Sequence, residues 1–221
     1  MSNSDKVYTS ICVLFAVLIV TGNIVYQKYV SLPLLHFYTF ELSVGAILYP
    51  LTFLLTDLIT EFYGKEKANF CVKLGLVMNV LIALAISIMD YLKATSWSKV
   101  DDIMFHNVLG SYGIAFIGSI IACYSAQLVD IVIYLWILKA TNGRWLWLRS
   151  VGSTAISLFV DTTIVICFLT YFKILPADRM IMLIMNSYFY KLFFTIWSTP
   201  LFYASVSTIK RVLNGPVLNY Q

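Results

Sequence analysis

The sequence predicts an all-α integral membrane protein with six transmembrane helices, and three observations lead to this prediction. Of the 221 residues, 60% are hydrophobic and only 12% are charged, whereas about a quarter of the residues of a soluble domain carry charge. Apolar segments of the roughly 20 residues needed to cross a bilayer recur along the chain. Short polar or proline-containing links separate these segments. We therefore expect one polytopic membrane domain over residues 1–221.

Six segments have the length and composition of membrane spans. The first is rich in Tyr, Thr and Asn and lacks a clear small-residue cleavage site, so we expect a retained helix rather than a signal peptide. No long soluble stretch remains between the others. The six predicted spans are residues 7–27, 42–63, 68–89, 113–138, 148–172 and 182–209.

Basic residues orient the predicted spans, because cytoplasmic links carry the excess of Lys and Arg. Seven of them lie at the termini or in the second and fourth links, and five lie in the remaining links. The first group is Lys6, Lys65, Lys67, Lys139, Arg144, Lys210 and Arg211, and the second is Lys28, Lys93, Lys99, Lys173 and Arg179. This imbalance predicts cytoplasmic N- and C-termini.

The composition also argues against several functions. Fifteen basic and eleven acidic residues give a net charge of +4, too weak and too scattered for nucleic-acid binding. We expect no metal and no cofactor, because His and Cys are not paired at ligand spacing. The four cysteines are predicted to be buried small hydrophobes: Cys12, Cys71, Cys123 and Cys167.

Pairs of small residues on the fourth span let helices approach closely. They are Gly118 with Ala122 and Ala115 with Ser119. Packing inside one subunit is the favoured interpretation, and a homodimer contact is the alternative.

Ionisable residues inside the spans are the strongest functional signal. Each costs about 2.5–3.5 kcal/mol on insertion scales, so such residues face a protein interior or an aqueous cavity. Their depths predict three ion pairs, namely Asp161 with Lys191, Glu61 with Arg149, and Lys73 with Asp57 or Asp130. Four acidic and two basic residues lie within the spans, and Arg149 at the rim offsets only one charge. At least one carboxylate therefore needs a proton, water or the donors of a ligand.

Polar residues also recur at helical spacing, which places them on single helix faces. Examples are Ser153, Ser157 and Asp161 on the fifth span, and Gln127 and Asp130 on the fourth. Several inward polar stripes predict a solute pocket, and carboxylates with aromatic rings suit a planar heterocycle rich in N–H donors. The candidate binding residues are Asp57, Glu61, Gln127, Asp130, Asp161, Asn23, Asn79 and Ser157, and Arg149, Lys191 and Lys73 are expected to hold the carboxylates in place.

The same polar positions carry a resemblance to the queuosine precursor transporter family, also called vitamin uptake transporters. The segments that resemble it extend over nearly the whole chain. They are YPLTFLLTD at 49–57, EFYGK at 61–65, QLVD at 127–130, LR at 148–149, GST at 152–154, DT at 161–162, YK at 190–191 and TP at 199–200.

The resemblance implies uptake of 7-deazaguanine bases, namely queuine, preQ1 or preQ0, across the bacterial inner membrane for the modification of tRNA by salvage. Because an amine-bearing base would help to neutralise the acidic excess within the spans, queuine and preQ1 are favoured over the nitrile preQ0. The resemblance also implies six helices and no dedicated ATPase module. The chain departs from the family pattern at Thr60 and Leu158, where members often carry Asn and Gln. These departures bear on which precursor is preferred.

Three other functions fit parts of the sequence. The substrate-binding subunit of an energy-coupling-factor vitamin transporter is also small and hydrophobic, with six helices, but it requires partner ATPases. An intramembrane aspartyl hydrolase also has two aspartates on separate helices, yet Asp57 and Asp161 lack the flanking glycines of such proteases. A structural scaffold explains the ion pairs and leaves the acidic excess unexplained.

Overall fold

A computed structural model describes residues 2–35, 38–110 and 113–213. The helices are α1 Asn3–Val25, α2 Gly45–Asp90, α3 Asp102–Val108, α4 Gly113–Ala140, α5 Leu146–Tyr171, α6 Met180–Trp197 and α7 Thr199–Leu213; the strands are β1 Tyr29–Leu35 and β2 Tyr38–Ser43. A 3₁₀ turn, Ala177–Arg179, precedes α6. Among the described residues, five helices are long and apolar enough to cross a membrane. The helical membrane class predicted from composition is confirmed.

Helix α2 is 46 residues long and is interrupted at Gly64, whose φ of 78° and ψ of 179° are not helical. Positive φ is readily adopted by glycine, which lacks a Cβ atom. A straight helix of this length would extend about 69 Å, more than twice the roughly 30 Å hydrocarbon core. We call the part before Gly64, residues 45–63, arm α2a and the part after it, residues 65–90, arm α2b.

Contacts with α1 show that the chain reverses at Gly64. The Tyr63 hydroxyl donates to the Ser4 carbonyl (2.9 Å), near the start of α1. Gly45, at the other end of α2a, packs against the end of α1, where an added Cβ would lie 2.3 Å from the Gly22 carbonyl oxygen. Arm α2b runs the opposite way, since Asn79 contacts Asn23 near the end of α1. The reversal lies in the link predicted between the second and third spans.

The last predicted span, 182–209, is divided into two helices in the structure. Helix α6 ends at Trp197 and α7 begins at Thr199, with Ser198 between them. Pro200 explains the break, because proline lacks an N–H and is best tolerated in the first turn of a helix. Phe202 and Val206 anchor α7 in the apolar core that it shares with α1 and α2.

A β-hairpin between α1 and α2 is absent from the sequence-based prediction. Its strands are antiparallel, with Val30 opposite Leu42 and Leu32 opposite Phe40. These apolar residues alternate along each strand, which is the pattern of a strand with one covered face. Leu42 has no exposed surface. The hairpin places Tyr29 and Ser43 at the end of the bundle where α1 finishes.

The small residues of α4 pack inside the chain. A Cβ on Gly118 would lie 2.2 Å from the Phe168 ring of α5, and Ala122 is fully buried. These contacts agree with the favoured interpretation of subunit-internal packing. Of the cysteines, Cys12, Cys71 and Cys123 are buried as predicted, whereas Cys167 is exposed. The prediction for Cys167 is wrong because periodicity does not distinguish an inward from an outward apolar face on a helix that is apolar all round.

Candidate functional site

A cavity of about 850 Å³, including the part that opens to solvent, lies in the half of the bundle remote from the N-terminus. Its walls are formed by the end of α1, the β-hairpin, the start of α2a, α4 at Ser119, the second half of α5 and α6 as far as Lys191. Its polar lining residues are Asn23, Tyr26, Tyr29, Ser43, Tyr49, Ser119, Asp161, Thr162, Ser187 and Lys191.

Asp161 on α5 and Lys191 on α6 form a buried ion pair on the cavity wall. The Lys191 Nζ atom lies 2.8 Å from Asp161 Oδ2 and also donates to Thr162 Oγ1 at 3.2 Å. The hydroxyl of Tyr49 donates to the other carboxylate oxygen at 2.6 Å, and Lys191 lies over the Tyr49 ring, 4.5 Å from its centre. Each carboxylate oxygen keeps a free lone pair. Asp161 can therefore accept further hydrogen bonds from a solute.

A chain of amides forms a second polar surface of the cavity. The Ser119 hydroxyl donates to Asn23 Oδ1 at 2.9 Å, and Asn23 Nδ2 donates to Asn79 Oδ1 at 2.9 Å. Asn79 donates in turn to the Gly75 carbonyl at 3.0 Å. Asn23 faces the cavity, and Asn79 lies behind it outside the cavity lining. Asn79 thus fixes the orientation of Asn23.

A second ion pair closes the half of the bundle that contains the Gly64 turn. Arg149 NH2 lies 2.5 Å from Glu61 Oε1, and Tyr134 donates to Glu61 Oε2 at 2.8 Å. Arg149 also donates through Nε to the Tyr134 hydroxyl at 3.2 Å and through NH1 to the Gly143 carbonyl at 2.9 Å. This network ties α2a, α4, α5 and the α4–α5 link together.

Asp57 on α2a and Asp130 on α4 lie between the two ion pairs, and hydroxyls on successive turns of α5 bind both carboxyl groups. Ser150 donates to Asp57 Oδ2 at 2.5 Å. Asp130 Oδ1 accepts from Ser157 at 3.0 Å and from Thr154 at 3.3 Å. The other oxygens, Asp57 Oδ1 and Asp130 Oδ2, are buried and have no hydrogen-bond partner.

Gln127 is committed to the contact between α4 and α2a. Its Oε1 accepts from Thr56 at 2.8 Å, and its Nε2 lies 3.4 Å from Thr52 Oγ1. All three residues are buried and none lines the main cavity. The structure therefore places Gln127 in helix packing.

The predicted pairing of Lys73 with Asp57 or Asp130 is wrong. Lys73 is exposed, and no ion pair within the described ranges includes it. The buried stripe of α2b runs through Cys71, Gly75 and Asn79. Lys73 lies two residues from Cys71, about 200° around the helix. The helix face that carries Lys73 points away from the carboxylates.

The structure brings together only part of the predicted binding set. Asn23 and Asp161 line the main cavity, together with Lys191. The other six predicted residues are buried but lie outside that lining: Asp57, Glu61, Asn79, Gln127, Asp130 and Ser157. Sequence reasoning missed Tyr49 and Ser119 as cavity residues. Tyr49 lies four positions before the buried Phe53, so helical spacing places it on the inward face of α2a. Ser119 belongs to a small-residue pair of the fourth span, a pattern that predicts helix packing rather than a cavity.

An apolar helix bundle with internal ion pairs and a polar cavity has the construction of a polytopic membrane transporter. The comparison with protein families agrees: the chain belongs to the family described as "Putative vitamin uptake transporter", whose model matches residues 43–205. A protein of Bacillus subtilis (strain 168) named "Probable queuosine precursor transporter" is 28% identical over 169 residues, which cover 76% of this chain and 72% of that protein. None of the solved structures matches this chain.

Proposed function

We propose that the protein imports queuosine precursors, which are 7-deazaguanine bases, across the bacterial inner membrane for salvage into tRNA. The Asp161 carboxylate facing a polar cavity carries this proposal, because it offers acceptors to the adjacent N–H donors of a guanine-like edge. Family membership and the name of the Bacillus subtilis relative support the same substrate class. The role is transport rather than catalysis.

Recognition of the base uses three kinds of contact. Asp161 accepts from the ring N–H groups, and Asn23 addresses the opposite, acceptor-bearing edge. The rings of Tyr26, Tyr29 and Tyr49 line the same cavity and offer stacking surfaces. Lys191 holds the Asp161 carboxylate in position.

The charge argument for an amine-bearing base loses its basis in this structure. Asp161 in the cavity is already neutralised by Lys191, and the acidic excess lies at Asp57 and Asp130 outside the lining. Queuine, preQ1 and preQ0 are therefore all compared in the assay below.

The same proposal includes six membrane crossings with both termini in the cytoplasm. Arms α2a and α2b each have the length of a span, and α6 with α7 forms the last crossing. The N-terminus and the Gly64 turn share one end of the bundle, as the distribution of basic residues requires. In this orientation the cavity opens outward, and the exposed apolar side chains contact lipid.

Cysteine labelling tests the orientation. Single cysteines at Lys65 and Lys99, in a background without the four native cysteines, are treated with a membrane-impermeant maleimide. We expect labelling of the Lys99→Cys variant in intact spheroplasts and of the Lys65→Cys variant only after lysis. The reverse pattern would place the cavity opening on the cytoplasmic side.

Transport is tested in a bacterium that cannot make queuosine and lacks its own importer. The cells receive nanomolar queuine, preQ1 or preQ0 with the matching downstream enzymes, and queuosine in tRNA is scored by boronate-gel mobility shift. A shift that requires this chain, is abolished by Asp161→Asn and survives in the exposed control Asp178→Asn supports the proposal. No shift with any base, despite membrane expression, would falsify it.

A further inference from the structure

The buried charges do not balance at one place in the bundle. Glu61 and Asp161 are paired with Arg149 and Lys191. Asp57 and Asp130 are 1% and 0% exposed, and no ion pair in the described part of the chain includes either of them. Both carboxyl groups are bound by the same stretch of α5, residues 150–157. Two negative charges held so close in an apolar interior repel each other, and no cation compensates either of them in the described part of the chain.

The hydrogen bonds around the two aspartates are incomplete in a matched way. Serine and threonine hydroxyls from α5 donate to one oxygen of each carboxyl group. The second oxygens, Asp57 Oδ1 and Asp130 Oδ2, are left without a donor. One proton between the two groups would convert one carboxylate into an O–H donor, and the free oxygen of the other carboxylate would accept that hydrogen bond.

In the described part of the chain, no charged side chain of the surrounding elements forms an ion pair with Asp57 or Asp130. On α2a the nearest titratable group is Glu61, on α4 it is Tyr134, and on α5 it is Arg149, and these three are bonded to one another. From α6, α7 and their junction, the cavity that adjoins Asp57 is lined by Phe202 and the hydroxyls of Thr195, Ser198 and Thr199. A metal held by several acidic or thiol ligands is disfavoured, since no group of three or more His, Cys, Asp or Glu side chains is gathered among the described residues.

We propose that Asp57 and Asp130 share one exchangeable proton and that this pair couples import of the base to the proton gradient. The coupling role rests on the transport function proposed above. The pair of carboxyls that cannot both ionise is the arrangement known from aspartic proteases, here without the catalytic surroundings.

The fold gives the pair a path for the proton and a connection to the substrate. A small cavity reaches Asp57 and is bordered by Pro50 and by the break between α6 and α7 at Ser198 and Thr199. Pro50 lacks the N–H of a regular helix residue, and the break between α6 and α7 is a place where these elements can hinge. On the other side, Ser157 bonds to Asp130 and lies one turn from Asp161 on the same face of α5.

Purified protein in liposomes tests the coupling. Potassium and valinomycin clamp the membrane potential at zero, sodium is absent, and radiolabelled preQ1 uptake is measured with and without an inside-alkaline gradient of about one pH unit. Such a gradient supplies about 1.4 kcal/mol per proton, so one proton per base gives roughly tenfold accumulation. We expect this accumulation, together with acidification of the lumen reported by trapped pyranine.

Amide variants separate coupling from binding. Asp57→Asn and Asp130→Asn keep the side-chain shape and cannot exchange the proton. We expect both to retain counterflow of preQ1 between equal pH values and to lose gradient-driven accumulation, while Asp178→Asn behaves like the wild type. Counterflow without any response to the pH gradient overturns the coupling. Accumulation that appears only when a sodium gradient is added in a separate experiment overturns it as well. Absence of counterflow with all three bases overturns the transport function itself.

An infrared measurement addresses the proton independently of transport. A protonated carboxyl group has a C=O stretching band that shifts on exchange into D₂O. We expect this band in the wild type and in Asp178→Asn at pH 7 and its loss in Asp57→Asn and Asp130→Asn, with thermal unfolding showing that the variants are folded. Absence of the band from the wild type contradicts the shared proton.

Discussion

Replacing one partner of the ion pair on the cavity wall gives the clearest test of how that site is held together. Asp161→Asn leaves the ammonium of Lys191 buried without a countercharge, with the amide oxygen and Thr162 Oγ1 as neutral acceptors and the Tyr49 ring beneath it. Breaking a buried pair by removing one charge costs about 3–5 kcal/mol. The side chains of Lys191 and Asp161 are only 6% and 7% exposed, so solvent screening is small. Because the cavity admits some water to the pair, we expect the lower end, about 3 kcal/mol.

This destabilisation is measurable as a shift in the unfolding temperature. For a protein of this size, 1 kcal/mol corresponds to roughly 2–4 °C. We therefore expect Tm in detergent to fall by about 6–12 °C for Asp161→Asn. The control Asp178→Asn alters an exposed aspartate in the link before α6, and its Tm should match that of the wild type.

The double variant Asp161→Asn/Lys191→Met separates stability from recognition. Replacing a buried ion pair by neutral groups of similar volume is often nearly neutral for stability, so most of the lost Tm should return. Uptake should not return, because the carboxylate that accepts from the base is still missing. A double variant that regains both stability and uptake would refute the assignment of Asp161 to the substrate. A single variant as stable as the wild type would refute the buried, unscreened ion pair.

Three further substitutions test contacts that position the site. Gly118→Ala should lower stability by about 1–3 kcal/mol, measured by thermal unfolding, because the new methyl group meets the Phe168 ring at 2.2 Å; equal stability would contradict this close packing. Tyr134→Phe removes the hydroxyl that bonds to both Glu61 and Arg149, and we expect a loss of about 1–3 kcal/mol by the same measurement. Asn79→Ala should raise the KM for uptake roughly two- to twelvefold, corresponding to about 0.5–1.5 kcal/mol, with kcat nearly unchanged. A selective fall in kcat would instead place Asn79 in the transport step.

The sequence predicted the helices and both ion pairs because each follows from a large free-energy cost. An uncompensated charge in the bilayer costs several kcal/mol, so an acidic and a basic residue at the same height are driven together. Asp161 with Lys191 and Glu61 with Arg149 are such cases. Lys73 escaped this rule because an exposed lysine on a helix can extend its ammonium toward the membrane surface.

The depth of the cavity could not be predicted in the same way. Ser157 and Asp161 share one face of α5, one turn apart, yet only Asp161 lines the main cavity. The boundary between them is set by long-range contacts, such as the approach of Gly45 to the Gly22 carbonyl and the placement of the hairpin beside α1. Helical periodicity reports which residues face inward but not where the interior space ends.

The distribution of open space and polar contacts then indicates which half of the bundle has to move during import. The half beyond the ion pair of Asp161 and Lys191 contains the cavity, while the opposite half is closed by the contact of Glu61 with Arg149 and Tyr134. A base released toward the Gly64 turn has to pass this closed region, so the contact between α2a and α5 must separate. Asp57 lies on α2a at this contact with α5, and Asp130 lies on α4, where it binds the same stretch of α5 through Ser157. Their proton state therefore bears directly on the separation, since two ionised carboxylates repel one another and a shared proton holds them together.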